Sequence, residues 1–224
     1  MYNGNQPLIN HSPNMVKKTK EEALETRNHL LDTAEAVFYI KGVSQTTLAD
    51  IASSAGMTRG AIYWHFKNKT DLFNAMCDRV TLPLETMTDA VTSDELADPL
   101  GGLRETARYL FHHVATDIHF QRVFDILFNK CEFVEDLGPV MDRDERVRDE
   151  FQSRFERVFI NAKKRGQLPA TLNHRLAVIS YQSFVKGMLR SWLLEPESFD
   201  LEVDGMRMLD GFFEMLQVSR TLRD

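Results

Sequence analysis

Apolar residues recur at helical spacing along most of the chain, and no segment alternates with period two over a useful length, so the pattern predicts an all-α protein without strands. From Glu21 to Lys41 the positions Leu24, Leu31, Ala34, Val37 and Phe38 repeat as one helical face, and Gly42 closes the helix. Thr47 then caps a second helix, with Asp50 as its capping-box partner and Leu48, Ile51 and Ala52 as its apolar face. Ala55-Gly56-Met57 forms a turn, with Gly56 where the chain needs the left-handed conformation. Thr58 caps a short third helix over 59–65, in which Gly60 and Ala61 keep the front flat beside Arg59, Tyr63 and His65. Two short helices joined in this way are a helix-turn-helix, whose second helix enters the major groove with its N-terminal residues on base edges.

Downstream, Asn68 begins a connecting helix through Leu72, Phe73, Met76, Cys77 and Val80. Pro83 lies inside it, and a kink or early stop is expected near 81–84 because proline removes a donor and clashes with the preceding turn. Residues 92–99 read as a loop. Helices are expected at about 100–116, 118–130, 140–165, 171–194 and 202–217, punctuated by Gly138-Pro139 and by Gly166 to Pro169. Three units follow: a disordered extension 1–14, a three-helix domain 15–67, and a larger helical domain 68–224.

Composition sharpens this picture in two places. The net charge of -6 argues at first against a nucleic-acid partner, but residues 1–70 hold eight Lys/Arg against six acids, so the remaining 154 residues carry -8. A mildly basic head on an acidic body suits a protein that touches DNA at one end. No apolar run approaches the roughly 20 residues of a membrane span. The first residues have neither the basic start nor the apolar stretch of a signal peptide, so a cytoplasmic protein is expected. Cys77 and Cys131 give no disulfide framework and read as small apolar residues.

The candidate chemistry centres on the third helix. Arg59, at its first turn, has the fork that fits guanine O6 and N7. Tyr63, Thr46, Thr47, Thr58, His65 and Lys69 are candidates for phosphate or thymine-methyl contacts, with Gly60 allowing close approach. Trp64 and Phe66 read as core, and Lys17, Lys18 and Lys20 as a basic arm or a solvated face. A second set is aromatic. Phe120, Phe124 and Phe128 share one helical face, as do Val147, Phe151, Phe155, Val158, Phe159 and Ala162 on a later helix; Phe111, Tyr181, Phe184 and Trp192 add to them. Such stripes form a core or line a site for a bulky apolar ligand. Ser180, Ser183, Gly187 and Ser191 share a small-residue face, and the last helix is apolar nearly all round, which predicts self-association. Metal and enzyme readings have no support. His112 and His113 point to different faces, and there is no GxGxxG, P-loop, CxxC or nucleophile motif, so neither cofactor nor metal is expected.

TLADIA, AGMTRGAIYWHFKNKTDLF and KTKEEALETRNHLLDTAEAVFYIKGV resemble the DNA-binding domain of TetR-family repressors. KCEFVED, RGQLP, SWLLEPESFDL and TLRD are similar to the AcrR-like branch that controls multidrug efflux pumps. That resemblance implies a palindromic DNA operator and release by a hydrophobic or amphiphilic effector. It implies a chamber lined by Val80, Leu84, Ala107, Leu110, Phe124, Phe128, Phe151, Phe155, Tyr181, Val185 and Lys186. It also implies a homodimer through the last two helices, with Ser180, Ser183, Gly187, Ser191, Met206 and Phe213 in the interface. Lys186 departs from the Asp or Ser expected at that position; it favours anions if it points inward and is a solvated charge if outward. The alternative is a TetR-like regulator that senses a metabolite, fatty acid or quorum signal and controls non-efflux genes.

Overall fold

The computed structural model describes residues 13–131 and 152–224. They form α1 (Pro13–Lys41), α2 (Leu48–Ser54), α3 (Arg59–His65), α4 (Lys69–Val91), α5 (Pro99–Thr116), α6 (Ile118–Asp125), α7 (152–164), α8 (His174–Leu194) and α9 (Asp204–Val218). Among the described residues there is no strand, only an isolated bridge between Leu172 and Arg223. The fold is all-α, with α1–α3 as a small unit and the later helices stacked behind it.

One apolar core runs through both parts. Leu30, Leu31, Ala34 and Phe38 of α1 meet Leu48, Ile51 and Ala52 of α2, Ile62 of α3 and Phe66. Leu24, expected on this face, is exposed, and Val37 is only partly buried. α4 continues the core through Leu72, Phe73, Met76, Val80 and Leu84.

Several boundaries differ from the periodicity for physical reasons. α1 begins at Pro13, where a proline at the first turn costs nothing, so Pro13 and Asn14 are helical; the rest of the expected disordered extension lies outside the described residues. Pro83 neither stops nor shortens α4. An interior proline costs about 3 kcal/mol, but Met76 and Val80 before it and Leu84 and Val91 after it are buried, each contributing about 1.5–3 kcal/mol. α6 does not run on as a regular helix to 130: it passes into a π-helical turn, Ile126–Lys130. α8 starts at His174 rather than 171, because residues 171–173 pair with the C-terminal tail. Asn173 N–H donates to Leu222 O at 2.8 Å and Asp224 N–H to Thr171 O at 2.9 Å. Of the helix expected at 140–165, the part before 152 lies outside the described residues, as does Gly138-Pro139.

α9 is fixed to α5 by a two-pronged ion pair: Arg104 Nε donates to Asp210 Oδ1 at 2.6 Å and Nη2 to Oδ2 at 2.8 Å. The Arg104 side chain, by its hydrogen bonds and then its charge, holds the Asp210 carboxyl below the usual carboxylate range. A depressed folded pKa stabilises above the unfolded value and is lost as pH falls through the folded one. Both groups are more than a third exposed, so solvent screening limits the pair to about 1 kcal/mol. Asp210→Asn should therefore lower the thermal midpoint slightly at neutral pH. The gap to the parent should close as pH falls below about 4. A gap that widens in acid would contradict this role.

Candidate functional site

The helix-turn-helix is assembled by local chemistry. Thr47 Oγ1 accepts from the Asp50 N–H at 3.1 Å, while the Thr47 N–H donates to Asp50 Oδ2 at 2.9 Å. That backbone bond, then the Thr47 hydroxyl and Lys41, hold the Asp50 carboxyl below its usual range. Gly56 makes the turn at φ +67°, and a Cβ there would meet no neighbour, so the constraint is the backbone conformation alone. Thr58 Oγ1 accepts from the Ala61 N–H at 3.3 Å and starts α3. Ile62 and Phe66 lock α3 inward, with the Arg27 guanidinium 5.0 Å from the Phe66 ring.

The outward face of α3 carries Arg59, Gly60, Tyr63 and Trp64, all exposed. Arg59 lies over the Tyr63 ring at 5.6 Å, so its fork is steered before any partner arrives. Thr58, the cap of α3, and Thr47, the cap of α2, are also exposed. Four expectations change. Trp64 is not core: it is 73% exposed, because α3 turns Ile62 and Phe66 inward instead. Thr46 is fully buried and its hydroxyl donates to Gly42 O at 2.8 Å, so it plugs the α1–α2 loop and offers no phosphate contact. Lys69 commits its ammonium to Val43 O at 2.9 Å and Ser44 O at 3.4 Å, tying α4 to that loop. His65 is half-buried, and burial, helped by Arg27, pushes its imidazole towards the neutral form, which weakens it as a phosphate cation. Lys20 is exposed; the side chains of Lys17 and Lys18 lie outside the described residues.

Behind the DNA-facing unit lies a polar joint that periodicity did not reveal. Glu35 of α1 is 2% exposed. His119 Nδ1 of α6 donates to its Oε2 at 2.8 Å, and Arg122 Nη1 stands 3.6 Å from Oε1. Tyr39 has the Arg122 guanidinium 5.7 Å and the Lys130 ammonium 4.9 Å from its ring. The Val43 N–H donates to Lys130 O at 3.2 Å. The π turn reaches on to α8: Asn129 Nδ2 donates to Asp125 Oδ1 at 2.7 Å, and Arg190 Nε to Asn129 Oδ1 at 3.1 Å. The sequence signal was Glu35 itself, an acid between Leu31 and Phe38 on the apolar face of α1.

Most of the expected effector-lining residues lie in the apolar core. Val80, Leu84, Ala107, Phe124, Tyr181 and Val185 are buried, and Leu110, Phe128 and Phe155 pack against the same core. Phe124 and Phe128 lie 5.8 Å apart, and Phe155 and Tyr181 5.4 Å. Burial pushes the Tyr181 phenol up. Phe151 and Val147 lie outside the described residues. Lys186 is exposed on the outer face of α8 beside Ser183 and Gly187, one residue past the buried Val185, so of its two alternatives the solvated one holds and it drops out of the expected lining. A separate open cleft of about 440 Å³ is lined by Met87, Glu105, Arg108, Tyr109, His112 and Glu202, none of them an expected lining residue. Among the described residues no group of three or more His, Cys, Asp or Glu is placed to hold a metal ion.

The self-association face is only partly as expected. Ser183, Gly187 and Ser191 are exposed and Ser180 half-buried. Met206 and Phe213 are buried in their own chain, Phe213 stacked on Tyr181 with centroids 6.1 Å apart. The outward face of α9 is instead Met208, Gly211, Met215 and Val218.

Such an arrangement defines a helix-turn-helix regulator with a helical ligand-type domain. The chain belongs to the TetR family: residues 30–76 match the tetR family of bacterial regulatory proteins, and 98–218 match the C-terminal region of MAATS-type transcriptional repressors. It is 39% identical over 209 residues to the HTH-type transcriptional regulator TtgR of Pseudomonas putida, covering 93% of this chain and 100% of that one. The fold is similar to NalD, the secondary repressor of the MexAB-OprM multidrug efflux pump in Pseudomonas aeruginosa, with TM-score 0.79, 34% identity and 89% and 99% of the two chains covered. It is also similar to SmeT in complex with triclosan, with TM-score 0.76, 32% identity and 85% and 90% covered; SmeT is the repressor of the Stenotrophomonas maltophilia pump SmeDEF. No helix among the described residues is long and apolar enough to cross a membrane.

Proposed function

We propose that this chain is a cytoplasmic, homodimeric repressor that holds the operator of a multidrug efflux operon and lets go when a bulky apolar or amphiphilic compound binds. Residues 15–67 form the DNA-binding domain and 68–224 the effector and dimer domain. The observation that carries the reading is the outward face of α3, where Arg59 and Tyr63 project beside Gly60 while Ile62 anchors the helix. Thr58 caps this helix and Thr47 caps α2. Repressors of efflux pumps among its relatives, one of them holding triclosan, support the target and effector class. The effector enters among Phe124, Phe128, Phe155, Leu110 and their neighbours. Dimerisation uses the small face of α8 with Met208, Gly211 and Met215 of α9. The chain acts through binding equilibria and not as an enzyme, and the effector shifts the dimer by its differential affinity, about 1–3 kcal/mol of coupling.

The test is selection of duplexes from a randomised pool, followed by triclosan titration of the complex. An enriched inverted repeat with half-sites one helical turn or a multiple apart, released by the phenol, is the expected result. Failure to enrich any duplex would remove the repressor reading. Enrichment without release by any apolar aromatic would remove the efflux-sensor half.

A further inference from the structure

The two faces of α5 meet different surroundings. Ala107, Phe111 and Val114 turn into the core, where the candidate effector site lies. About half a turn round the helix, Glu105, Arg108, Tyr109 and His112 line the open cleft of about 440 Å³, which Met87 of α4 and Glu202, just before α9, complete. The cleft is also clear of the outward face of α9. Asp210, which Arg104 ties to α5, follows two residues after Met208 and so lies on the other side of that helix from Met208, Gly211 and Met215. A second copy of the chain covering that face leaves the cleft open.

The lining selects a ligand. Tyr109 and Met87 are half-buried and offer a ring and a polarisable thioether, the ring braced by His113 with centroids 4.1 Å apart. Glu105 is matched by Arg108, whose Nε lies 3.1 Å from its Oε2. Glu202 differs: among the described residues its ion pair is with His112 alone, Oε1 to Nδ1 at 2.7 Å, and an imidazole balances a carboxylate only when protonated. An aromatic face beside a carboxylate with no permanent counter-charge attracts an organic cation. The last 154 residues, which carry -8, add to that attraction. A cation placed instead among Phe124, Phe128 and Phe155 would lose its hydration with no carboxylate among the expected lining residues. We propose that the cleft is a second ligand site, which takes an aromatic organic cation with its charge beside Glu202 and a ring against Tyr109 and Met87. The site stands whether or not the aromatic set on the other face of α5 takes triclosan.

Tetraphenylphosphonium and tetraphenylborate share size and shape and differ in the sign of their charge. Calorimetric titration of the full chain without DNA should show the phosphonium bound and the borate weaker by about fivefold or more. Glu202→Gln keeps a hydrogen-bonding partner for His112 but drops the charge. It should weaken the phosphonium on the order of fivefold and leave triclosan unchanged. Met87→Trp, which fills the cleft from α4, should abolish phosphonium binding and again spare triclosan. Saturating triclosan should leave the phosphonium bound. Circular dichroism should match the parent for both variants; if Met87→Trp loses helical content, Glu202→Gln decides alone. No phosphonium binding, or borate bound equally well, would overturn the proposal. So would parental phosphonium affinity in either folded variant, or a Glu202→Gln loss that triclosan shares. Full displacement of the phosphonium by triclosan would place the cation in the inner site and also overturn it. If triclosan itself fails to bind, the efflux-sensor reading falls, and the comparison of charges and the two variants still decide the cleft.

Discussion

Arg59→Ala should abolish discrimination between a selected operator and random duplex while leaving helical content and thermal midpoint unchanged. Arg59 is outside the core and lies over the exposed Tyr63 ring, so its removal leaves no cavity and no orphaned buried group. If Arg59 reads a base as proposed, the change removes a bidentate donor on base edges, worth about 1–3 kcal/mol per half-site, and a dimer loses it twice. Random duplex should be held almost as before, because that affinity comes from phosphate neutralisation. The salt slope then separates the cases. If Arg59 sits on phosphate, removing it from both half-sites lowers the slope by about two ions; if it reads a base, the slope stays nearly intact. Competition titrations at two salt concentrations read both quantities. Preserved discrimination with a shallower slope would place Arg59 on phosphate.

The parts of this site that were legible are those decided within a few residues. The Thr47–Asp50 box, the Gly56 turn and the Asn68 cap depend on side chains meeting their own backbone, so sequence spacing is enough. Side-chain direction was harder, because each step along a helix rotates by about 100° and the burying neighbour is not in the local pattern. Lys186 is solvated one step past the buried Val185. Met206 and Phe213 turn inward and leave Met208 and Met215 outside. Trp64 is outside for the same reason, whereas Thr46 is buried in the α1–α2 loop by its bond to Gly42 O. Thr46 and Lys69 also show how a polar group suited to phosphate can be taken up by loop carbonyls instead, for Lys69 ones far away in sequence. The π turn at 126–130 has no local breaker; it coincides with contacts to Val43 and Arg190 that only the tertiary structure brings together.

Glu35→Ala should uncouple the two domains more than it unfolds either. Its carboxylate is buried between α1, which braces the DNA-reading helix, and α6, which carries Phe124 of the candidate effector site. Oε1 has no hydrogen-bond partner among the described residues and is balanced only by Arg122 at 3.6 Å, so the joint is held chiefly by His119 on Oε2. Removing one member of a fully buried ion pair costs about 3–5 kcal/mol. His119 and Arg122 are both more than a third exposed and can rehydrate, which brings the expected loss to about 1–3 kcal/mol. His119→Ala should cost less by itself, and a double-mutant cycle between the two should show coupling above about 0.5 kcal/mol. The functional consequence follows from where the joint sits. If movement of α6 reaches α1 through Glu35, then triclosan should still bind Glu35→Ala but release DNA less completely, and by linkage DNA should weaken triclosan binding less than in the parent. Calorimetric titration of the phenol with and without duplex measures both directions. A variant that keeps the parental coupling would show that effector and DNA communicate by another route, through α4 or the Tyr39 and Val43 contacts of the π turn.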